Sequence, residues 1–356
     1  MRHNSRRFAL VASVLAASMA LTACGGSSDS SSAGTDGTKL KPFTFQLNFT
    51  AGGFNAGFEY AAVHGLYKEE GLDVEIIPGA GSGVTAQMVA SGKAQIAFAE
   101  APTTSALVAK GAPMKTIMTL YQSSPNQVTT LTSSGINSIQ DLKGRSVGVP
   151  TGGSQTAMMP ILLQKNGLKP SDINQVGLPK ESLVQALLQK RVDAILGSTD
   201  SYGVQLEQQG AETRNWTFAD YGVPTISTSV FANSEYLKSN ADDVKAFIRA
   251  SLKGWAAVAA DPKAGAAAVK EYFPNSNEQQ SLAELNAVIP LLCAGGATVV
   301  GKSPDESWTR TQDLLSSVDL LPAGTDATTY YSNDFLPAES EMQQCQDGKP
   351  VPLTAK

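Results

Sequence analysis

The stretch LDVEIIPGAGSGVTAQMVASGKAQIAFA, residues 72–99, decides the fold. Leu72–Ile77 alternates apolar and acidic side chains and is rich in β-branched residues, so it reads as a strand. Gly79-Ala80-Gly81-Ser82-Gly83 breaks it, and a helix to Ser91 follows. Gln95–Ala99 is strand-like again. Strand, glycine turn, helix and strand make the unit of a parallel sheet covered by helices. The rhythm continues on both sides. Upstream lie a strand at Phe43–Phe49 and a helix at Asn55–His64; downstream, a helix at Pro102–Lys110 and a strand at Lys115–Leu120. A second set starts near Ile139. It reads as a strand at Ser146–Val149, a helix from Ser154 to Asn166, a strand at Ile173–Leu178, a helix at Ser182–Lys190, a strand at Asp193–Leu196 and a helix at Tyr202–Gln209. Ser227–Ala232 is a β-rich return.

Beyond that return the pattern turns helical. Val244, Phe247, Ile248, Leu252, Trp255 and Val258 recur at helical spacing behind an expected N-cap at Asn240. Asp261-Pro262 ends that helix and begins another. Further helices are expected near Glu278–Leu292 and Pro304–Val318. The class is α/β with a helical C-terminal region.

The N-terminus carries a different signal. Arg2, Arg6 and Arg7 precede an apolar run from Phe8 to Leu21, closed by Leu21-Thr22-Ala23-Cys24. Residues 1–23 read as a secretory signal peptide, too short to cross a bilayer core of roughly 30 Å. The closing residues resemble the bacterial lipobox, whose cysteine is acylated, so Cys24 is the expected lipidation site; the alternative is an ordinary cleavage site. Two or more acyl chains give lasting attachment. Residues 24–41, rich in Gly, Ser, Thr and Asp, read as a flexible linker. The expected location is extracytoplasmic, anchored to the cell membrane.

Composition excludes several classes. The net charge of −5 becomes −8 once Arg2, Arg6 and Arg7 leave with the leader. An acidic chain without a basic cluster argues against nucleic-acid binding. Of two histidines, His3 leaves with the leader and only His64 remains. A Ser-His-Asp triad or a multi-histidine metal site would have to run through it. His64 precedes Gly65, a helix-ending residue, where a polar side chain suits the helix dipole. No catalytic residue, metal or cofactor is expected. Cys293 and Cys345 are expected to pair outside the cytoplasm, closing a loop of about 50 residues; the alternative is two buried free thiols.

Gly79–Gly83 resembles a dinucleotide fingerprint, but the position of the third glycine holds Val84. A tight turn exposing amides at a helix start is the simpler reading. Thr151-Gly152-Gly153-Ser154-Gln155 has the same physics, either as a capped turn or as a ligand contact. No Gly-Lys-Ser/Thr follows, so it is not a nucleotide-hydrolysing P-loop. Asp200 and Glu207 are not read as a glycosidase acid pair, since two acids by themselves define no cleft.

Longer stretches carry a resemblance: residues 60–74 (Tyr60 through Val74), Val89-Ala90-Ser91-Gly92-Lys93-Ala94, Asp141-Leu142-Lys143-Gly144, Arg191-Val192-Asp193-Ala194, Asp220-Tyr221-Gly222 and Trp308 through Phe335. In these the chain resembles the substrate-binding lipoproteins of ATP-binding-cassette (ABC) importers. The branch is that of thiamine-pyrimidine precursors, related to nitrate, sulfonate and taurine binders. Where that branch commonly has Trp-Thr-Pro-Asn, this chain has Asn48-Phe49-Thr50-Ala51.

The resemblance implies a two-lobed periplasmic-binding-protein type II fold with two crossover strands. Lobe one would hold residues 42–130 and 230–356, the latter with the C-terminal helices; lobe two would hold 131–229. It also implies a monomer whose partners are a small-molecule ligand and a membrane permease with its cytoplasmic ATPase. Open α/β sheets bind ligands at the carboxyl ends of their strands. The loops expected there offer Thr50, Phe54, Asn55, Gly81, Ser82, Glu100, Thr103, Thr104, Gly153, Ser154, Gln155, Asp200, Tyr202 and Tyr221. Aromatic faces suit a flat ring, and amides and acids suit ring nitrogens and amino groups. With no Arg or Lys among them, the expected ligand is a neutral or weakly cationic heteroaromatic such as an aminopyrimidine. The competing readings are an alkylsulfonate, nitrate, taurine or aromatic-carboxylate binder, a ligand sensor, or a secreted pyrimidine-forming enzyme. That family's enzymes use a histidine and a Cys-rich segment; this body keeps a single histidine, His64, and has no Cys-rich segment.

Overall fold

The computed structural model describes residues 39–151 and 153–351. The leader, Cys24 and residues 25–38 of the linker lie outside the described residues.

Two five-stranded sheets organise the body. The first contains β1 (Lys41–Gln46), β2 (Leu72–Ile77), β3 (Ile96–Glu100), β4 (Met114–Thr119) and β10 (Thr228–Asn233), in the order β2-β1-β3-β10-β4. The second contains β5 (Asn126–Leu131), β6 (Ser146–Pro150), β7 (Asn174–Leu178), β8 (Ala194–Ser198) and β9 (Thr213–Thr217), in the order β7-β6-β8-β5-β9. In each sheet the first three strands are parallel and the fourth is antiparallel to both its neighbours. The sheets are therefore built alike: β1 corresponds to β6, β2 to β7 and β3 to β8. Helices α1 (Ala56–Val63), α2 (Leu66–Glu69), α3 (Ser82–Ala90) and α4 (Ala101–Val108) belong to the first set of strands. Helices α5 (Ser154–Lys165), α6 (Leu183–Leu188) and α7 (Val204–Gln208) belong to the second.

The chain crosses from β4 to β5 and returns from β9 to β10. The two crossings are tied together by backbone: Ser124 N donates to Thr225 O (3.1 Å), Ser227 N to Tyr121 O (2.9 Å) and Phe218 N to Asn126 O (2.8 Å). The expected lobe-one segment 42–130 ends one strand too late, because Asn126–Leu131 pairs in the second sheet. Asn126-Gln127-Val128-Thr129-Thr130 has no apolar alternation to announce a strand. Two of its buried polar side chains, Gln127 and Thr129, are paired along the sheet instead. Gln127 Nε2 donates to Thr129 Oγ1 (3.0 Å), whose hydroxyl donates to Asn215 Oδ1 (2.9 Å).

The C-terminal region, expected wholly with lobe one, divides. It contributes α8 (Ser234–Ser239), α9 (Ala241–Ala260), α10 (Pro262–Tyr272), α11 (Glu278–Val288) and α12 (Asp305–Ser316). Phe247 and Trp255 of α9 pack with Phe45, Phe58 and Phe98 in the first core. Trp308, Leu314 and Leu315 of α12 instead join Val147, Met159, Leu162 and Phe218 in the second. The Trp308 indole stacks on Tyr331 at 4.5 Å. Asp261 caps α10 as its sequence predicts, accepting from Lys263 N and Ala264 N. Asn240 does not cap α9; its side chain donates back to Tyr236 O (3.1 Å), because a helix already precedes it. Cys293 and Cys345 form a disulfide, with Cα atoms 5.5 Å apart.

Helix α9 lies on α1 at two glycines. A Cβ on Gly254 would meet Gly57 O at 2.1 Å and the Ala61 methyl at 3.0 Å. Backbone cannot yield as a side-chain tip can, so Gly254→Ala is expected to cost about 2 kcal/mol. A fall in urea midpoint at unchanged slope would show it; an unchanged midpoint would mean the helices part freely.

Candidate functional site

Corresponding loops of the two sheets meet around one cavity. From the first sheet come Asn48, Phe49 and Phe54 after β1, Ala80, Gly81 and Ser82 after β2, and Glu100 at the end of β3. From the second come Thr151, Gly153, Ser154 and Gln155 after β6, Lys180 after β7, and Asp200, Ser201 and Tyr202 after β8. The crossings add Tyr121, Pro125 and Asn126. The free volume is about 90 Å³, small against the roughly 300–1,000 Å³ of drug-sized sites.

The glycine turn after β2 serves close packing. Gly79 N donates to Phe49 O and Gly81 N to Asn48 O, both at 2.7 Å. A Cβ on Gly79 would lie 2.0 Å from Leu47 O, and Gly81 holds φ +121. These two amides are already bonded, which explains why the turn resembles a phosphate loop without being one. The turn after β6 likewise brings the first residues of a helix, Ser154 and Gln155 of α5, to the cavity, as the β2 turn brings Ser82 of α3.

Two carboxyls form the acidic side of the cavity. Glu100 Oε2 accepts from Ser227 Oγ at 3.0 Å. Burial pushes this carboxyl up to about 7, and the negative charge of Asp200 adds to the rise, while the Ser227 and Ser154 hydroxyls oppose it. Burial also raises Asp200 above the ordinary aspartate value, against the Ser198 hydroxyl. Asp200 sits in the wide turn Thr199–Gly203 that follows β8. Its Oδ1, with Asn48 Oδ1 and Asn126 Oδ1, is buried and accepts no hydrogen bond from the protein. Behind Phe54, Glu284 of α11 accepts from Gly53 N and Gln280 Nε2, both at 2.8 Å. Burial pushes it up to about 7 as well. Tyr121 OH donates to Phe54 O, fixing the aromatic wall.

Of the residues the sequence singles out, Phe54, Gly81, Ser82, Glu100, Gly153, Ser154, Gln155, Asp200 and Tyr202 line this cavity. Five of the expected residues do not: Thr50, Asn55, Thr103, Thr104 and Tyr221. Thr50 is exposed, and its carbonyl accepts from Asn55 Nδ2 at 3.4 Å. Asn55 is fully buried beneath the wall. Thr103 lies on the flank of α4 against a second cavity between α3, α4 and α5; its neighbour Thr104 turns back to Ala101 O (3.0 Å). Tyr221 follows β9, two strands away from β8 at the sheet edge, and its carbonyl accepts from Asn166 Nδ2 (3.0 Å).

Lys180 corrects the expectation of a site without a cation. It follows β7 just as Gly79–Gly81 follows β2, so the rule of strand ends points to it. Its Nζ lies 3.6 Å from the Phe49 ring centroid. His64 stays outside the cavity, stacked on Tyr60 at 3.9 Å at the end of α1. Among the described residues no group of three or more potential metal ligands occurs.

The chain is 28% identical over 322 residues to the riboflavin-binding protein RibY of Chloroflexus aurantiacus, covering 85% of this chain and 88% of RibY. It is 25% identical to the 4-amino-5-hydroxymethyl-2-methylpyrimidine phosphate synthase THI11 of Saccharomyces cerevisiae, covering 82% and 87%. A solved Candida albicans protein described as having the generic periplasmic binding protein structural fold superposes with a TM-score of 0.64. It is 18% identical, with 86% of this chain and 99% of that one covered. The paired sheets have that fold. Residues 55–265, running from the wall of the cavity through both sheets, match the family described as NMT1/THI5 like, and the chain belongs to it.

Proposed function

We propose that this protein is an extracytoplasmic solute-binding lipoprotein, anchored through Cys24. In this reading it captures a small amino-bearing heteroaromatic, of the aminopyrimidine kind, and delivers it to the permease of an ABC importer without making or breaking a bond. The observation that carries the reading is the acceptor-rich interior. The buried acids Glu100 and Asp200 face one cavity, and one oxygen each of Asp200, Asn48 and Asn126 (Oδ1) accepts nothing from the protein. Buried acceptors of this kind need donors, and ring amino groups supply them. Phe49, Phe54 and Tyr202 offer faces for a flat ring. The small volume supports one ring rather than a fused system. Among the described residues no helix is long and apolar enough to cross a membrane.

Calorimetry with 4-amino-5-hydroxymethyl-2-methylpyrimidine, riboflavin, taurine, an alkanesulfonate and nitrate tests this. The pyrimidine is expected to bind, and Glu100→Gln and Asp200→Asn each to weaken it about tenfold. Tyr221→Ala, outside the cavity, should bind like the parent. Tight sulfonate or nitrate binding with no heteroaromatic binding would overturn the reading.

The yeast relative raises a second reading, a pyrimidine-forming enzyme. The position of His64 outside the cavity and the pairing of Cys293 with Cys345 weigh towards capture. Release of a pyrimidine product by the isolated protein would reverse that preference.

A further inference from the structure

We propose that Lys180 is a specificity residue that reads an anionic substituent on the ligand, so that the preferred guest carries donors at one end and a negative group at the other. The inference rests on the reading of the cavity as a ligand site and extends it.

Lys180 is the sole Lys or Arg among the described residues lining the cavity. Its side chain is 18% exposed, unusual for an ammonium on a surface loop. The carboxylate within reach is Glu181, its chain neighbour, at 3.9 Å and 70% exposed. An exposed partner at that distance satisfies a cation weakly. The Phe49 ring, 3.6 Å away, holds the ammonium at the mouth by its face and uses none of its three N–H donors. Burial lowers the lysine's proton affinity, a cost that a bound anion would offset.

Position sets the shape of the guest. Lys180 follows β7, whereas Asp200 follows β8, and β6 lies between. Two strand spacings put the strand ends that carry them roughly 10 Å apart. Acids at one end and an ammonium at the other suit a ring with amino groups on one side and an anion on an opposite arm. Phosphate and carboxylate share this chemistry.

The test compares, by calorimetry, 4-amino-5-hydroxymethyl-2-methylpyrimidine with its phosphate ester and with the 5-carboxylate analogue. The protein is the parent, Lys180→Met and Lys180→Arg. Phenyl phosphate against phenol repeats the comparison on a ring without pyrimidine nitrogens. In the parent, an anionic ligand should bind about tenfold tighter than its neutral counterpart. Lys180→Met should abolish that preference, weakening the anionic ligand about tenfold more than its neutral counterpart, and Lys180→Arg should keep it. Whether the ester or the carboxylate gains more identifies the anion. Equal binding of charged and neutral members of both pairs overturns the role of Lys180, as does an equal loss for all ligands in Lys180→Met. A Lys180-dependent preference for phenyl phosphate with no pyrimidine binding keeps this inference and removes the pyrimidine reading.

Discussion

Replacing Cys293 and Cys345 together by serine should cost about 4 kcal/mol and lower the melting temperature by roughly 10 °C. The bridge spans 52 residues of sequence, and a cross-link of that span removes much of the freedom of the unfolded chain. Its local surroundings add to the case. Cys345 N donates to Thr298 O (2.8 Å) and Val300 N to Gln343 O (2.9 Å), and Met342 is buried in the first core. The segment so held braces the outgoing crossing. Gln122 N donates to Leu291 O (2.9 Å), and Ser303 Oγ donates to Gln122 Oε1 (2.6 Å). Calorimetry of the oxidised, reduced and double-serine proteins reads the effect. Transitions within about 2 °C of one another would mean that the tail holds itself without the bond.

The fold should also lose stability as the pH rises from about 4.5 to beyond 7. Burial raises Glu59, Glu100, Asp200 and Glu284 above their ordinary values. Such carboxyls hold protons more tightly in the folded chain than in the unfolded one. Their stabilising contribution is complete below the ordinary value of 4.5 and disappears as pH passes the folded value of about 7 for Glu100 and Glu284. The shift amounts to about 3 kcal/mol for each of these two. Other acids act oppositely. Against the effect of burial, Arg249 holds Glu70 below its usual range, and Ser146 does the same for Asp193. Those contributions vanish in acid, so maximal stability belongs near pH 5. Glu100→Gln and Glu284→Gln should flatten the alkaline decline and exceed the parent at about pH 8, measured by denaturation across pH. A parent equally stable at about pH 5 and about pH 8 would count against buried, proton-holding acids.

Much of this was legible in residues 72–99, since alternation, glycine punctuation and helical spacing are local signals. They place β2, α3 and β3 within a residue or two. β5 and β9 were not legible. One is a buried strand of Asn, Gln and Thr, and the other an edge strand reading Thr-Arg-Asn-Trp-Thr, so neither shows the apolar period of a core strand. The division of the C-terminal helices was hidden for another reason: the apolar face of α12 shows in the sequence, but which core it covers depends on how the chain travels between sheets. At the cavity, residues directly after parallel strands were found by rule. Thr50, Thr103 and Tyr221 were misplaced because a few further residues, or two strands' displacement, carry a side chain off the rim. Lys180 was overlooked although the same rule selects it.

Glu100 and Asp200 stand at corresponding strand ends of different sheets, and the chain segments between those sheets are short. Each therefore opposes the ionisation of the other across the cavity. A guest without donors for both acids would satisfy one of them and leave the other unpaired. If the protein captures a ligand as proposed, discrimination would reside in residence time rather than in first encounter, because only a guest that neutralises both acids would be retained.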